Sequence, residues 1–583
     1  MPAQGVWIYI GNDDRVIINT PVKFCSDEQG FSACFDVTAN MLGGGDGLYF
    51  THFEFVSLGR RYYTVHTDGK VSVSDRFVSE EQFLFYDEKY LAPDWMDGGI
   101  MYQIFPDRFA KGSIECKKPN TPYDFDWENG IPEYPASVGD SFPNNTHFGG
   151  TLYGVAENIA YLKKLGVSCI YLNPIFRAYS NHKYDTADFM SVDESFGGDD
   201  ALRHLIEVAH KNGIGVILDG VFNHVGDDSI YFNRYGSHKT VGACDSKDSP
   251  YYEWFSFENW PYTYDSWWGI KNLPKCVKCE SYRKFITEQV IPKYMDMGID
   301  GWRLDVADEL ESDFLDEICL AVKSKKPDAV IIGEVWEDAS DKVAYGERKR
   351  YFRGGQLDSV TNYPIRNAII DFILSGEGEL LVSTVNRLYR HYPVHKQSKL
   401  MNFLGSHDTE RIATVLGGER DNGYDNHILA HKRMTADERA LALLMLKNAY
   451  LILASLPGIP CIYYGDELGL EGYHDPFNRR TFPISGFESE ESAFFASINR
   501  VRSTEPLFLA PVTVAEEIEC GIVRIIRRGG EGELTVIANM SDSEYCAELE
   551  CSMTDVFTGA VYSGSVVLPK KSVAVLKTDY FGA

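Results

Sequence analysis

Between residues 97 and 500, short apolar runs alternate with amphipathic ones, and this alternation leaves little choice of fold. Strand candidates lie at 100–105, 169–172, 215–219, 301–305, 330–334, 357–361, 401–404 and 461–464. Segments of helical period separate most of them, at 155–165, 199–212, 280–297, 311–323, 365–373, 380–390 and 436–456. Eight such repeats predict an α/β fold, a (β/α)8 TIM barrel with insertions. Residues 221–275 are rich in Tyr, Trp, Asp and Ser and carry no helical period. They predict an irregular subdomain inserted after strand 3, over the top of the barrel. Outside the barrel the period drops to two. Residues 1–92 predict an N-terminal all-β sandwich, closed by Pro93, and residues 505–583 a C-terminal one.

A barrel of this kind carries its chemistry at the C-terminal ends of its strands. There the third strand ends in Asp219 and is followed by Asn223 and His224. The fourth ends in Arg303 and Asp305, which share one face because side chains alternate along a strand. The fifth ends in Glu334, the seventh runs into His407 and Asp408, and the second is followed by His182, Tyr184 and Asp185. A single acid at a strand end is most often a loop cap. Four on one rim cost free energy through mutual repulsion, so they point to function.

Glycoside cleavage needs such a set: one ionised carboxylate to attack the anomeric carbon and one protonated carboxyl to release the leaving oxygen. Arg303 beside Asp305 predicts a depressed pKa for that aspartate. Ile331, Ile332, Val335 and Trp336 around Glu334 predict an apolar setting and a raised one. Asp408 remains to bind sugar hydroxyls. His224 and His407 are suited to hydroxyls flanking the bond, as neutral or cationic donors.

These residues sit in strings that carry a resemblance. Asp219-Gly220-Val221-Phe222-Asn223-His224, Gly301-Trp302-Arg303-Leu304-Asp305-Val306-Ala307, Gly333-Glu334-Val335-Trp336 and Phe403-Leu404-Gly405-Ser406-His407-Asp408 resemble, in order and spacing, the four signature regions of the α-amylase family (glycoside hydrolase family 13). Flanking strings, among them Tyr102-Gln103-Ile104-Phe105-Pro106-Asp107-Arg108-Phe109, resemble the neopullulanase, cyclomaltodextrinase and maltogenic amylase group. The resemblance implies a retaining α-glucan hydrolase with Asp305 as nucleophile, Glu334 as acid/base and Asp408 as transition-state stabiliser. It implies substrate contacts from Tyr184, His182, His224, Arg303, Trp336, His407, Asp475 and Arg479, with Asp219 and Asn223 in support. The implied partners are α-glucan oligosaccharides, and often a second copy of the chain, held through the N-terminal domain. Alternatives within the family are an α-glucosidase, a debranching enzyme or a glucanotransferase. From another class, a non-catalytic glucan-binding or transporter-associated scaffold would lose the acids or carry a membrane helix.

The chain departs from that group at three places. Leu273-Pro274-Lys275-Cys276-Val277 stands where the group has Met-Pro-Lys-Leu-Asn, and Asp308-Glu309 where it has Asn-Glu. The stretch from Phe109 to Glu115, which stands where the group has its calcium loop, offers few oxygen ligands, so no cofactor is required, calcium stays open as a poorly matched option, and no metal residue is assigned. A net charge of −29 disfavours nucleic acid and anionic membrane as partners. No basic, apolar leader opens the chain and no apolar run reaches membrane-spanning length, which predicts a cytoplasmic protein. Its twelve cysteines are scattered, with a single C-x-x-C at Cys276 and Cys279, and read as free thiols.

Overall fold

The computed structural model describes residues 5–579 apart from 14, 28–29, 34, 45, 68–69, 87–91, 138–139, 141 and 531. The chain's first four residues, on which the leader argument rests, lie outside that set.

Eight parallel strands form the central sheet: β1 (Met101–Ile104), β2 (Cys169–Leu172), β3 (Gly215–Gly220), β4 (Gly301–Leu304), β5 (Val330–Gly333), β6 (Ser359–Val360), β7 (Met401–Phe403) and β8 (Ile459–Tyr463). They are ordered β6-β5-β4-β3-β2-β1-β8-β7, and a parallel bridge from Thr361 to Met401 closes the ring. All strand residues but Gly215 are buried, as expected where helices cover the outside and side chains fill the inside. Met101, Cys169, Ile217, Val330, Ile332, Met401 and Cys461 plug the interior. Trp302 and Leu304, on the other face of β4, pack with the helices. Gly301 is required by a close approach: a Cβ there would lie 2.3 Å from the Val330 carbonyl oxygen.

The helices follow the expected segments, including Gly198–Lys211, Ser312–Lys325, Glu379–His391 and Ala436–Ser455. Ala436–Ser455 opens on a capping box, Thr435 with Glu438, and stops before Pro457. A further helix, Glu490–Thr504, is absent from the expectation above, although Phe494, Phe495, Ile498 and Val501 keep a helical period. After β3 the chain runs irregularly through short turns and the small hairpin Phe257–Asn259 and Thr263–Tyr264.

Antiparallel sheets flank the barrel. The N-terminal one joins Gly5–Gly11, Val16–Pro21, Gly47–Ser57, Arg60–Thr67, Lys70–Ser74 and Glu81–Phe85 over a core of Ile8, Ile10, Val22, Leu42 and Tyr49. At the C-terminus two sheets share a core in which Ile522, Ile537 and Leu576 meet Ala547, Val566 and Leu568. Both regions are pinned to the barrel. Gln82 donates to Ser340 Oγ at 2.6 Å, and Asn386 exchanges two 2.8 Å hydrogen bonds with the Ala515 backbone.

Just past β8, buried Glu467 Oε1 accepts hydrogen bonds from Tyr102 and Tyr161, 2.7 Å each. Burial raises its carboxyl from 4.5 to about 7. The folded state therefore binds the proton more tightly than the unfolded one. That stabilisation is complete below the unfolded value and is lost as pH rises through the folded one. Glu467→Gln keeps an acceptor for both hydroxyls and cannot ionise. We expect its stability relative to the wild type to rise between pH 5 and pH 8, by on the order of 2 kcal/mol. Thermal unfolding at the two pH values measures this; an unchanged difference contradicts it.

Candidate active site

At the top of the barrel the inward residues turn from apolar to charged. Asp219 lies beside Arg303 in the β3–β4 register, and Arg303 beside Ile332 in the β4–β5 register. Buried Arg303 then serves three carboxylates. Its Nη1 donates to Asp219 Oδ1 and Oδ2 at 2.9 and 3.0 Å and to Asp305 Oδ1 at 2.8 Å, and its Nη2 pairs with Glu334 Oε2 at 3.0 Å. Val306 completes the grip on Glu334. Its backbone sits in the left-handed region, φ 40° and ψ 57°, and its N–H donates to Glu334 Oε2 at 2.8 Å. A β-branched residue rarely adopts that conformation, and such strain persists where surrounding structure enforces it. Trp336 Nε1 donates to the other oxygen, Oε1, at 3.1 Å, while its ring stacks on Tyr363 at 3.9 Å.

Two sequence expectations need correction here. Arg303 does not hold Asp305 at a depressed pKa. Burial, with the carboxylates of Glu334 and Asp219, pushes it well above the usual range, and Arg303 offsets this only in part. Asp219 is raised too, by burial. One guanidinium facing three carboxylates leaves the cluster short of positive charge, so the cluster keeps a proton to a higher pH than an isolated aspartate would. Nor is Glu334 set among apolar side chains. Of its apolar neighbours in sequence, Ile331 and Val335 pack among the helices, and Glu334 meets the Arg303 guanidinium, the Val306 N–H and the indole N–H of Trp336 instead.

The histidines are neutral. Burial pushes His182 and His407 well below 6.5 and His224 down to about 3. His407 Nδ1 meets Gln103 Nε2 at 2.9 Å, and its Nε2 faces Tyr184 OH and, at 3.1 Å, Asp408 Oδ2. The Tyr184 and His407 rings are parallel, 5.2 Å apart. Tyr184 OH also donates to Asp219 Oδ2 at 3.1 Å and accepts from Asn173. His224 stacks on Trp267 at 5.0 Å. Arg479 pairs with Asp475 at 2.9 Å, donates to the His407 carbonyl, and lies 4.0 Å from Asp408.

These groups open into one cleft of about 1920 Å³. Asp305, Glu334, Asp408, Tyr184, His182, His224, Trp336, His407, Asp475 and Arg479 all line it. Arg303, expected to contact substrate, is not among its lining residues, and nor are Asp219 and Asn223. Asp219 is held beneath by Arg303, Tyr184 and Tyr171, and Asn223 Oδ1 accepts from buried Lys278 at 2.8 Å. Sequence reasoning assigned no role to Gln103, Asn173 or Tyr171. Their signal is polarity inside otherwise apolar strands and at a strand end. It also treated the two strings that carry the departures, 273–277 and 308–309, separately. The structure joins the strings through residues that match the group, Lys275 Nζ lying 2.6 Å from Glu309 Oε2, while the departing Asp308 pairs with Lys342 at 3.1 Å.

Among the described residues, no group of three or more His, Cys, Asp or Glu is placed to hold a metal. The stretch after β1 fits calcium poorly, since Lys111 there projects its own cation over Trp127 at 5.1 Å. Ten cysteines, Cys276 and Cys279 included, are unpaired. Among the described residues, no helix is long and apolar enough to cross a membrane.

Comparison with known proteins agrees with this geometry. Residues 103–505 match the alpha amylase catalytic domain, and residues 521–578 the beta-galactosidase C-terminal domain. An amylopullulanase of Thermoanaerobacterium saccharolyticum is 38% identical over 493 residues, 76% of this chain and 37% of its own length, so the chain spans little more than a third of that relative. A cyclomaltodextrinase of Thermoanaerobacter pseudethanolicus is 36% identical over 446 residues, 73% of this chain and 68% of its own. Among solved structures, the cyclic α-maltosyl-(1→6)-maltose hydrolase of Arthrobacter globiformis superposes with a TM-score of 0.68 at 29% identity, covering 84% of this chain and 100% of that one. A catalytic-domain match of this extent, over a barrel that brings the four signature regions to one rim, places the chain in the α-amylase family.

Proposed function

We propose that the protein is a retaining α-glucan hydrolase. It cleaves α-1,4-glucosidic bonds of maltodextrins, cyclodextrins and pullulan through a covalent glycosyl-enzyme, with transfer to sugar acceptors as a side reaction. The observation that carries this reading is Asp305 and Glu334 held by one guanidinium in an open cleft. Two carboxyls gripped by a single arginine side chain favour the short separation of retaining enzymes over the wider gap that admits a water in inverting ones.

In this reading Glu334 gives its proton to the glycosidic oxygen as that bond breaks, and Asp305 bonds to the anomeric carbon. The leaving sugar departs. Water then loses a proton to Glu334 and its oxygen displaces Asp305, restoring both groups. Asp408, with His407 and Arg479, binds ring hydroxyls as the sugar flattens. Tyr184 supports the ring, and Asp475 with Arg479 holds the next sugar. The neutral histidines each offer a donor or an acceptor without adding charge beside a developing cation. Arg303 aligns Asp305 and Glu334, and Asp219 anchors Arg303.

A preference for α-1,6 bonds is the second reading, and it rests on Asp308, which lines the cleft where the resembling group has Asn. Product analysis on cyclodextrin, pullulan and maltotriose, with the anomer of the first product read by NMR, separates the cases. We expect α-anomers and faster turnover of α-1,4 bonds. A β-anomer as first product overturns retention, and inertness towards all three overturns the function. The same reading divides the chain at 1–92, 97–500 with its insertion at 221–275, and 505–583, and places it in the cytoplasm, where unpaired thiols are stable.

A further inference from the structure

A small hairpin follows β5 and reaches the cleft. Val343–Ala344 pairs antiparallel with Glu347–Arg348, Val343 opposite Arg348 and Ala344 opposite Glu347. Tyr345 and Gly346 make the turn, with φ of 54° and 79°. A two-residue turn with both φ positive favours Asn-Gly, and a bulky aromatic in its first position is strained. The chain nevertheless keeps a tyrosine there, and that side chain is not spent on packing: Tyr345 is 73% exposed and lines the same cleft as Trp336, Glu309 and Trp268. Its hydroxyl donates to Glu309, and Lys275 Nζ sits 5.4 Å from its ring centroid. The hairpin is also tethered at its base. Arg348 pairs with Asp13 of the N-terminal sheet region, Nη2 to Oδ1 at 2.7 Å, lies 5.4 Å from the Phe50 ring centroid, and donates to the Asp341 carbonyl.

Resting on the function proposed above, we propose that Tyr345 is a specificity-determining platform for sugars on the leaving-group side, and that the chain's own N-terminal domain sets its position through Asp13 and Arg348. An exposed ring in the cleft that Trp336 also lines, with the Glu309 carboxylate at its hydroxyl end, offers a sugar an apolar face to stack on and an acceptor for a hydroxyl. Trp336 touches Glu334 and so lies next to the reacting bond. Tyr345 lines the same cleft, and in this proposal the second sugar of the leaving group is set against it. Retained strain at an exposed side chain facing a binding cleft is what a functional constraint leaves and a packing constraint does not.

The test uses the full chain with maltoheptaose and with an aryl α-maltoside, whose leaving group has no second sugar. Tyr345→Asn suits the turn, so the hairpin forms and the melting temperature holds or rises. We expect it to lower kcat/KM for maltoheptaose about tenfold, mainly through KM, with the aryl maltoside changed less than about twofold. Tyr345→Trp restores most of the maltoheptaose value. Asp13→Ala shifts maltoheptaose in the same direction by a smaller factor. Equal effects on both substrates, or none, overturn the platform. A wild-type enzyme inert on both substrates overturns the α-glucan function and the platform with it.

Discussion

Replacing Asp305 by Asn lowers kcat/KM on maltodextrins by about 10⁴-fold or more, close to 5.5 kcal/mol of transition-state stabilisation, while the protein keeps its melting temperature. The amide is isosteric with the carboxylate, so its oxygen still accepts from Arg303 Nη1, the 2.8 Å contact of the native site. What it loses is the negative charge that attacks the anomeric carbon. Removing that charge also relieves the crowding that pushes Asp305 upward, since Glu334 and Asp219 no longer face a third carboxylate. Stability therefore holds or rises as activity falls. A catalytic residue under electrostatic strain gives that opposed pair of readouts; a purely structural ion pair would lose both together. Retention of more than about a tenth of the wild-type kcat/KM removes Asp305 from the nucleophile's role.

The barrel was legible because its strands are short, apolar and flanked by helical periods, so strand position alone located the rim. Asp219, Asp305, Glu334 and Asp408 could be found by asking which strand ends carry acid. Electrostatic balance could not be read the same way. Arg303 and Asp305 are two residues apart and look like a private pair. Only the barrel's curvature brings Asp219 from one side and Glu334 from the other onto the same guanidinium. Distance along the chain says nothing about how many partners share one cation. The same limit hid the Lys275–Glu309 pair, whose members come from the loops after β3 and β4, and the Asp13–Arg348 tether, which joins residues 335 positions apart. Local periodicity dictates elements; long-range pairing decides charge states and the shape of the cleft wall.

Glu334→Gln tests the other half of the mechanism, and its signature depends on the leaving group. Glucosidic oxygens leave poorly without a proton, so turnover of maltodextrins falls by about 10³- to 10⁴-fold, the upper range for loss of a general acid. A glycosyl fluoride needs little protonation, so its first step is spared and the glycosyl-enzyme on Asp305 accumulates, because the base that activates water is gone as well. Azide needs no base. It should restore turnover of the fluoride and yield the α-glycosyl azide, which identifies both the intermediate and the face attacked. The structure adds one complication. Glu334 Oε2 accepts from Arg303 and Val306 while Oε1 accepts from Trp336. A glutamine that keeps its oxygen towards Arg303 turns its NH₂ group onto Trp336 Nε1, donor against donor. Trp336→Phe removes that clash while retaining a ring on Tyr363. If the acid role is right, Trp336→Phe alone costs far less than Glu334→Gln, and the double variant remains as slow on maltodextrins as Glu334→Gln alone. If Glu334 serves only to position Trp336, the double variant recovers activity, the fluoride is hydrolysed no better than maltodextrin, and azide does nothing.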